Sequence, residues 1–190
     1  MKISNIYEQV LTEAVNTGPI VAYHGSTHKF SSFTDEFVGG KDATDQEGPG
    51  IYFTTSVKDA GAYGEFLYKV TLNPRKLLDA SPNIAKYRSI VTRLTKMAPN
   101  WEETAQNWAE YPERGVINFV NSILEYNENE KDLFQQVWFD FYRYTPVEYV
   151  RNVVKLGYDG LIIDGYNTDK TAKHIVVYNP AIIQYNEEVN

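Results

Sequence analysis

Short apolar segments typical of strands lie toward both ends of this chain, and a long stretch with helical spacing separates them. The strand-like segments are residues 20–23, 51–54, 66–72, 161–163, 175–178 and 182–185. From about residue 82 to about residue 156, apolar side chains recur every three or four positions, as in Val116, Phe119, Val120 and Ile123. Strands that flank inserted helices predict an α+β domain.

The first residues have the spacing of a separate amphipathic helix. In residues 2–15 the apolar side chains fall on one face, and Asn-Thr-Gly-Pro at residues 16–19 ends the pattern. That face consists of Ile3, Ile6, Tyr7, Val10, Leu11 and Ala14. We therefore predict an N-terminal helix within residues 1–18 and one domain over residues 19–190, with a helical insert at about 82–156.

Charge and composition argue against several classes of partner. The net charge is −7, from 25 acidic and 18 basic residues, which disfavours general nucleic-acid binding. The chain has no cysteine, so disulfides and thiolate metal sites are excluded, and we predict no metal site. No apolar stretch approaches the roughly 20 residues that span a bilayer, and the start lacks the core of a secretory signal. We expect a protein of the cytoplasm.

Two short motifs carry the functional information. Residues 21–26 read Val-Ala-Tyr-His-Gly-Ser, and residues 48–63 read Gly-Pro-Gly-Ile-Tyr-Phe-Thr-Thr-Ser-Val-Lys-Asp-Ala-Gly-Ala-Tyr. A strand that ends in His-Gly, followed by a glycine-rich turn into Ile-Tyr-Phe and a short helix, resembles the NAD site of ADP-ribosyltransferases. The resemblance is to the branch of poly-ADP-ribose polymerases and diphtheria-type toxins. It implies a split, mainly antiparallel β-core and transfer of ADP-ribose from NAD.

The resemblance assigns a role to each residue of these motifs. His24 corresponds to the histidine that holds the adenosine ribose, and Gly25 to the backbone contact with the nicotinamide carboxamide. Tyr52 corresponds to the first stacking tyrosine, and Tyr63, eleven residues later, to the second aromatic wall. Ser26 belongs to the same NAD-binding group. Read without the resemblance, a His-Gly pair fits an ordinary turn, and a tyrosine such as Tyr52 fits a core position.

One binding residue departs from the family pattern. The serine or threonine that binds the carboxamide, three positions before the second tyrosine, is Ala60 in this chain. That hydrogen bond is either absent or supplied by Thr54, Thr55 or Ser56.

The third catalytic position is a larger departure. The family places a glutamate at the start of a late strand that ends in Asn/Asp-Pro. Residues 174–180 read His-Ile-Val-Val-Tyr-Asn-Pro, so His174 takes that place as the candidate catalytic residue. A neutral imidazole accepts a hydroxyl proton but supplies no negative charge. Three explanations compete. A loop acid, Asp169 or Asp164, replaces the glutamate, or Asp79 does. Alternatively, the site binds NAD without efficient turnover.

The functional expectation is transfer of ADP-ribose from NAD to a macromolecular acceptor, most simply a protein of a bacterial host. One alternative is a non-catalytic protein that binds NAD or ADP-ribose. Another is an enzyme similar to RNA 2′-phosphotransferases, which the acidic charge disfavours.

The N-terminal stretch also resembles the capsid-targeting peptides of T4-like phages, which are cut after Leu/Ile-x-Glu. Leu11-Thr12-Glu13 fits this pattern. The protein would then be a phage effector packaged in the head, or a head interaction protein. An ordinary helix packed on the domain explains the same residues.

Overall fold

The computed structural model describes residues 14–15, 18–34, 48–79, 87–126, 133–165 and 169–189. Its strands are β1 (Ala14–Val15), β2 (Ile20–Ser26), β3 (Ile51–Thr54), β4 (Phe66–Leu72), β5 (Leu77–Asp79), β6 (Gly160–Asp164), β7 (Lys173–Val177) and β8 (Ile183–Val189). They form one sheet in the order β1-β5-β6-β7-β3-β2-β4-β8. Neighbouring strands are antiparallel, apart from the parallel pair β5 and β6.

The helices are α1 (Val57–Ala60), α2 (Arg88–Lys96), α3 (Trp101–Ala105), α4 (Pro112–Tyr126), α5 (Leu133–Val137) and α6 (Pro146–Lys155). A 3₁₀ turn, Gly61–Tyr63, continues α1, and a π-helical turn, Trp138–Tyr142, continues α5. Helices α2 to α6 lie between β5 and β6 in the chain. The mixed architecture with a mostly antiparallel sheet confirms the predicted α+β class.

Local sequence explains where α6 begins and ends. Pro146 occupies the first turn, where its missing N–H costs nothing. Gly157 follows the last turn with φ of +90°, a backbone conformation that glycine adopts without strain. The sequence places Pro146 and Gly157 where they predict a helix from residue 146 to residue 155, and the structure confirms these bounds.

Other boundaries differ from the prediction for identifiable reasons. Strand β2 continues through Ser26 rather than ending at residue 23, because β4 pairs with each of its seven residues. The predicted strand at residues 182–185 begins one residue later and extends to Val189 beside β4. Helix α3 lies within the stretch predicted to be helical, and strand β5 was not predicted.

The predicted N-terminal helix lies mostly outside the described residues. So do most of residues 31–50, whose many Ser, Asp and Gly residues predict a loop. The helix was expected to include Ala14 and Val15, and this part of the prediction is wrong. Both residues form β1, which pairs with Leu77 and Leu78 at the edge of the sheet.

The two faces of the sheet bury separate cores. One face packs Leu78, Leu161, Ile163 and Val176 against the helices between β5 and β6. The other face buries Ala22, Phe53, Val70, Leu77, Ile175 and Val177. Alternate residues of β7 thus belong to opposite cores, as the two-residue period of a strand requires.

Asp159 fastens β5 to the end of β7. Its buried carboxylate accepts hydrogen bonds from the backbone and guanidinium of Arg75 and from the side-chain amide of Asn179. Burial alone would raise the pKa of Asp159, but these hydrogen bonds hold it below its usual value.

A second polar contact fixes the helices against one another. The hydroxyl of Tyr142 donates to the carbonyl oxygen of Leu94 at 2.6 Å and accepts from the Asn152 amide at 3.2 Å. Because the tyrosine is buried, these bonds satisfy a polar group that would otherwise be costly to enclose.

The sheet is weakly joined at one place. Strands β2 and β3 are neighbours, yet their register contains a single residue pair, Tyr23 with Thr54. Strand β2 pairs along its whole length with β4, and β3 along its whole length with β7. We call this junction of β2 and β3 the seam.

Among the described residues, no helix is long and apolar enough to cross a membrane.

Candidate functional site

The predicted site residues gather around the seam. His24 lies on β2, Tyr52 on β3 and His174 on β7, three consecutive strands of the sheet. His174 pairs with Thr54, and Thr54 pairs with Tyr23 across the seam. The topology therefore places on neighbouring strands residues that lie up to 150 positions apart in the sequence. The imidazole of His24 lies beside Phe53 on one face of the sheet, whereas the ring of Tyr52 packs on the helical core of the other face.

His24 forms the direct bond across the seam. Its Nδ1 is 2.7 Å from the backbone carbonyl oxygen of Tyr52. Since a carbonyl oxygen can only accept, Nδ1 carries the proton, and Nε2 is the acceptor of the neutral ring. Burial lowers the pKa of His24, although the bond to Tyr52 by itself raises it. The imidazole is therefore mainly neutral at about pH 7, with Nε2 able to accept from a hydroxyl.

An aromatic cluster sets the orientation of this imidazole. The ring centroids of Phe33, Phe53 and Phe30 lie 5.3, 5.6 and 5.8 Å from that of His24. Tyr68, its partner on β4, lies at 6.3 Å. These rings replace water around the imidazole, which is the physical reason for its lowered pKa.

Tyr52 is fixed by both ends of its side chain. Its ring packs against the core formed by the helices, and its hydroxyl donates to the carbonyl oxygen of Gly48 at 2.6 Å. Gly48 has φ of +97°, and a Cβ there would lie 3.2 Å from the ring of Tyr149 on α6. The segment that leads into β3 is thus held between Tyr52 and α6.

Gly25 is required by the packing of α1. A Cβ on Gly25 would lie 1.9 Å from the carbonyl oxygen of Ala60 and 3.3 Å from Cβ of Tyr63. A Cβ on Gly64, just after the 3₁₀ turn, would lie 2.1 Å from the carbonyl oxygen of Ser26. Two glycines therefore let this short helical segment lie directly on the end of β2, which puts the half-exposed ring of Tyr63 beside it.

The hydroxyls considered as substitutes at Ala60 already serve the local backbone. Thr54 Oγ1 accepts from the backbone N–H of Ser56, and Ser56 Oγ accepts from that of Asp59, which caps α1. Thr55 Oγ1 accepts from the backbone N–H of Lys173 at 2.9 Å. Each hydroxyl keeps its proton to donate, but Thr54 and Ser56 are buried.

His174 is buried beside a carboxylate that the sequence analysis did not single out. Its Nε2 lies 4.0 Å from Oδ2 of Asp59, and the two side chains are 8% and 0% exposed. The distance is too long for a hydrogen bond, so the contact is electrostatic. The Ser56-x-x-Asp59 pattern is that of a helix-capping pair, which suggests only a local role for the aspartate.

The acids predicted as substitutes for the missing glutamate have other positions. Asp164 forms an ion pair with Lys173. Asp169 accepts from the hydroxyl and backbone N–H of Thr171, and these bonds lower its pKa. Asp79 lies on β5, which is separated from β7 by β6.

Among the described residues, no cluster of three or more His, Asp or Glu side chains could hold a metal ion.

Comparison with known proteins gives one family match and one structural match. Residues 16–185 match a family described as "ADP-Ribosyltransferase in polyvalent proteins". No curated protein matches the chain. A solved structure described as "Crystal structure of an anti-CRISPR protein" shares 16% sequence identity, with a TM-score of 0.41. That match covers 92% of this chain and 98% of the other.

Proposed function

Because the chain belongs to the family of ADP-ribosyltransferases in polyvalent proteins, we propose that it cleaves NAD and transfers ADP-ribose to a protein acceptor. The observation that carries the proposal is the bond from His24 to the Tyr52 carbonyl across the seam. It fixes a neutral imidazole against the backbone of Tyr52, where the two strands have only one residue pair. We infer that the seam is the split of the β-core and that NAD binds there.

Each residue of the site has a role that its surroundings support. Nε2 of His24 accepts from a hydroxyl of the adenosine ribose, since its Nδ1 is engaged by Tyr52. The ring of Tyr52 stacks on nicotinamide, and Tyr63 covers the other side. Gly25 and Ser26 supply backbone contacts to the carboxamide beyond the last paired position of β2 and β3.

His174 and Thr54 complete the proposed site on the far side of the seam. They are directly paired across β3 and β7. Loss of nicotinamide leaves positive charge on the ribose, and the imidazole of His174, in its neutral form, accepts the proton of the attacking group. Thr54 holds this end of the dinucleotide.

Binding is tested first by the melting temperature. NAD should raise it, since a ligand that binds only the folded protein stabilises that state. Tyr52→Ala should abolish the rise, and Tyr63→Ala should reduce it. The matched control is Tyr144→Ala, because Tyr144 is 90% exposed and lies in the turn before α6. A melting temperature indifferent to millimolar NAD and ADP-ribose would contradict the proposal.

Transfer is tested by incubating the protein with isotopically labelled NAD and a bacterial lysate. Mass spectrometry should detect proteins with added ADP-ribose, and His24→Ala should give none. Release of nicotinamide without labelled protein would restrict the activity to NAD hydrolysis. Binding without any release of nicotinamide would favour the non-catalytic alternative, in which the buried His174 does not act on substrate.

A proposed phage origin has its own test. Glu13 and the residues before it lie outside the described residues, so the test is the N-terminal sequence of the protein found in phage particles. If the protein is head cargo acting in the host cytoplasm, particles should contain a form that begins at Ala14. Particles that lack the protein would reject the proposal.

A further inference from the structure

A buried acid and a buried imidazole lie together at the end of the seam. Asp59 on α1 has a fully enclosed side chain, and His174 on β7 is enclosed except for 8% of its side-chain surface. Oδ2 of Asp59 lies 4.0 Å from Nε2 of His174. Both carboxylate oxygens of Asp59 lack a hydrogen-bond partner among the described residues.

Burial of this kind has a physical consequence. A carboxylate away from water is very costly unless an opposite charge or a proton compensates it. The imidazole of His174 is the ionisable group that the structure pairs with Asp59. The imidazole ring therefore lies where an N–H or a positive charge on it would stabilise the enclosed carboxylate.

The position of α1 makes this pair part of the site. Ser56 caps the helix by accepting from the backbone N–H of Asp59, which fixes the aspartate relative to β3. The next residue, Ala60, rests with its carbonyl oxygen on Gly25. The short helix thus holds Asp59 next to the residue that packs on Gly25, one of the proposed NAD-binding residues.

We propose that Asp59 is a positioning residue that sets the orientation and proton affinity of His174, so that the pair acts as one general base. This inference rests on the proposed function. The acceptor's nucleophilic atom bonds to C1 of the nicotinamide ribose, and the bond from C1 to nicotinamide breaks, leaving its electron pair on nicotinamide. The acceptor's proton passes to the His174 ring, where the Asp59 carboxylate stabilises the imidazolium, and then to water.

Steady-state kinetics of NAD cleavage provide the first test. Asp59→Asn should lower kcat by about 10- to 100-fold and change KM for NAD by less than about threefold, because Asp59 does not touch NAD. In a His174→Glu background the same change should not lower kcat, since glutamate carries its own charge. Asp59→Asn with wild-type kcat, or an equal loss in both backgrounds, would overturn the inference.

A spectroscopic test does not depend on activity. The chain has three histidines, so their imidazole ¹⁵N resonances can be assigned by substitution. At one fixed pH, Asp59→Asn should shift the resonances of His174 and leave those of His28 unchanged. His28 is an exposed residue and serves as the internal control. Unchanged His174 resonances would overturn the pairing even if the protein cleaves NAD.

A third measurement uses the wild-type protein, so it remains valid even if Asp59→Asn does not fold. Its proton spectrum should contain a slowly exchanging imidazole N–H signal that disappears in His174→Gln. Absence of that signal from the wild type overturns the inference. If the signal is present and NAD is not consumed, the pairing stands and the proposed function fails, so the two outcomes are distinguishable.

Discussion

Gly25→Ala tests how closely α1 must approach β2. The added Cβ would lie 1.9 Å from the carbonyl oxygen of Ala60 and 2.9 Å from its carbonyl carbon. Both atoms belong to the backbone, so rotation of a side chain cannot relieve the contact. Either α1 moves outward by about 1 Å or β2 bends away, and both disturb a packed region.

The expected loss of stability follows from this displacement. Overpacking of a well-packed region destabilises a protein by about 1–3 kcal/mol. For a chain of this length the melting temperature falls by about 2–4 °C per kcal/mol. We therefore expect Gly25→Ala to melt about 2–12 °C below the wild type. The rise caused by NAD should also shrink, because Tyr63 moves with α1.

Gly61→Ala is the matched control, at the C-terminal end of α1 directly after Ala60. Gly61 has φ of −62°, and no atom lies within 4 Å of the position that its Cβ would take. Alanine should stabilise the protein there by about 0.4–1 kcal/mol, because it restricts the unfolded chain. Thermal melting and urea titration measure both variants. If Gly25→Ala melts within about 1 °C of the wild type, the packing argument is refuted.

Three further substitutions test contacts elsewhere. Asp159→Asn should lower the free energy of unfolding by about 2–3 kcal/mol in urea titrations, because the carboxylate holds Arg75. Tyr142→Phe should cost about 1–3 kcal/mol in the same assay, because the Leu94 carbonyl loses its donor, and a wild-type midpoint would contradict this. Burial lowers the pKa of His24, so the unfolded state binds a proton more readily, and stability is lost as pH falls through about 6.5. The loss between about pH 7.5 and about pH 5.5 should therefore be smaller in His24→Asn than in the wild type.

The sequence predicted best those elements that local chemistry specifies. Strand β3 and strand β4 have the predicted bounds, and α6 is bounded by a proline and a glycine. Residues 133–142 lie in the stretch that was predicted to be helical, but the chain forms α5 and then a π-helical turn there. Buried Trp138, Phe141 and Tyr142 explain that difference, since large rings must fit one core and a wider turn changes their spacing.

The site was predictable only in part. The motifs identified His24 and Tyr52, and the sheet places them on adjacent strands. The burial of Asp59 could not be predicted, because it depends on the pairing of β3 with β7 across more than a hundred residues. The glycine requirement at Gly25 likewise arises from a helix that packs onto it, in addition to any ligand.

The strand order has a consequence for how the chain is made. Strands β2, β3 and β4 leave the ribosome early, but β3 finds its second neighbour, β7, only after residue 173, and β4 finds β8 only after residue 183. Until then both strands keep an unpaired edge, on which backbone N–H and C=O groups can pair with other chains. Pairings so distant in sequence also close slowly. We therefore expect the sheet to be completed only after residue 183 has left the ribosome, and expression at lower temperature to increase the soluble yield.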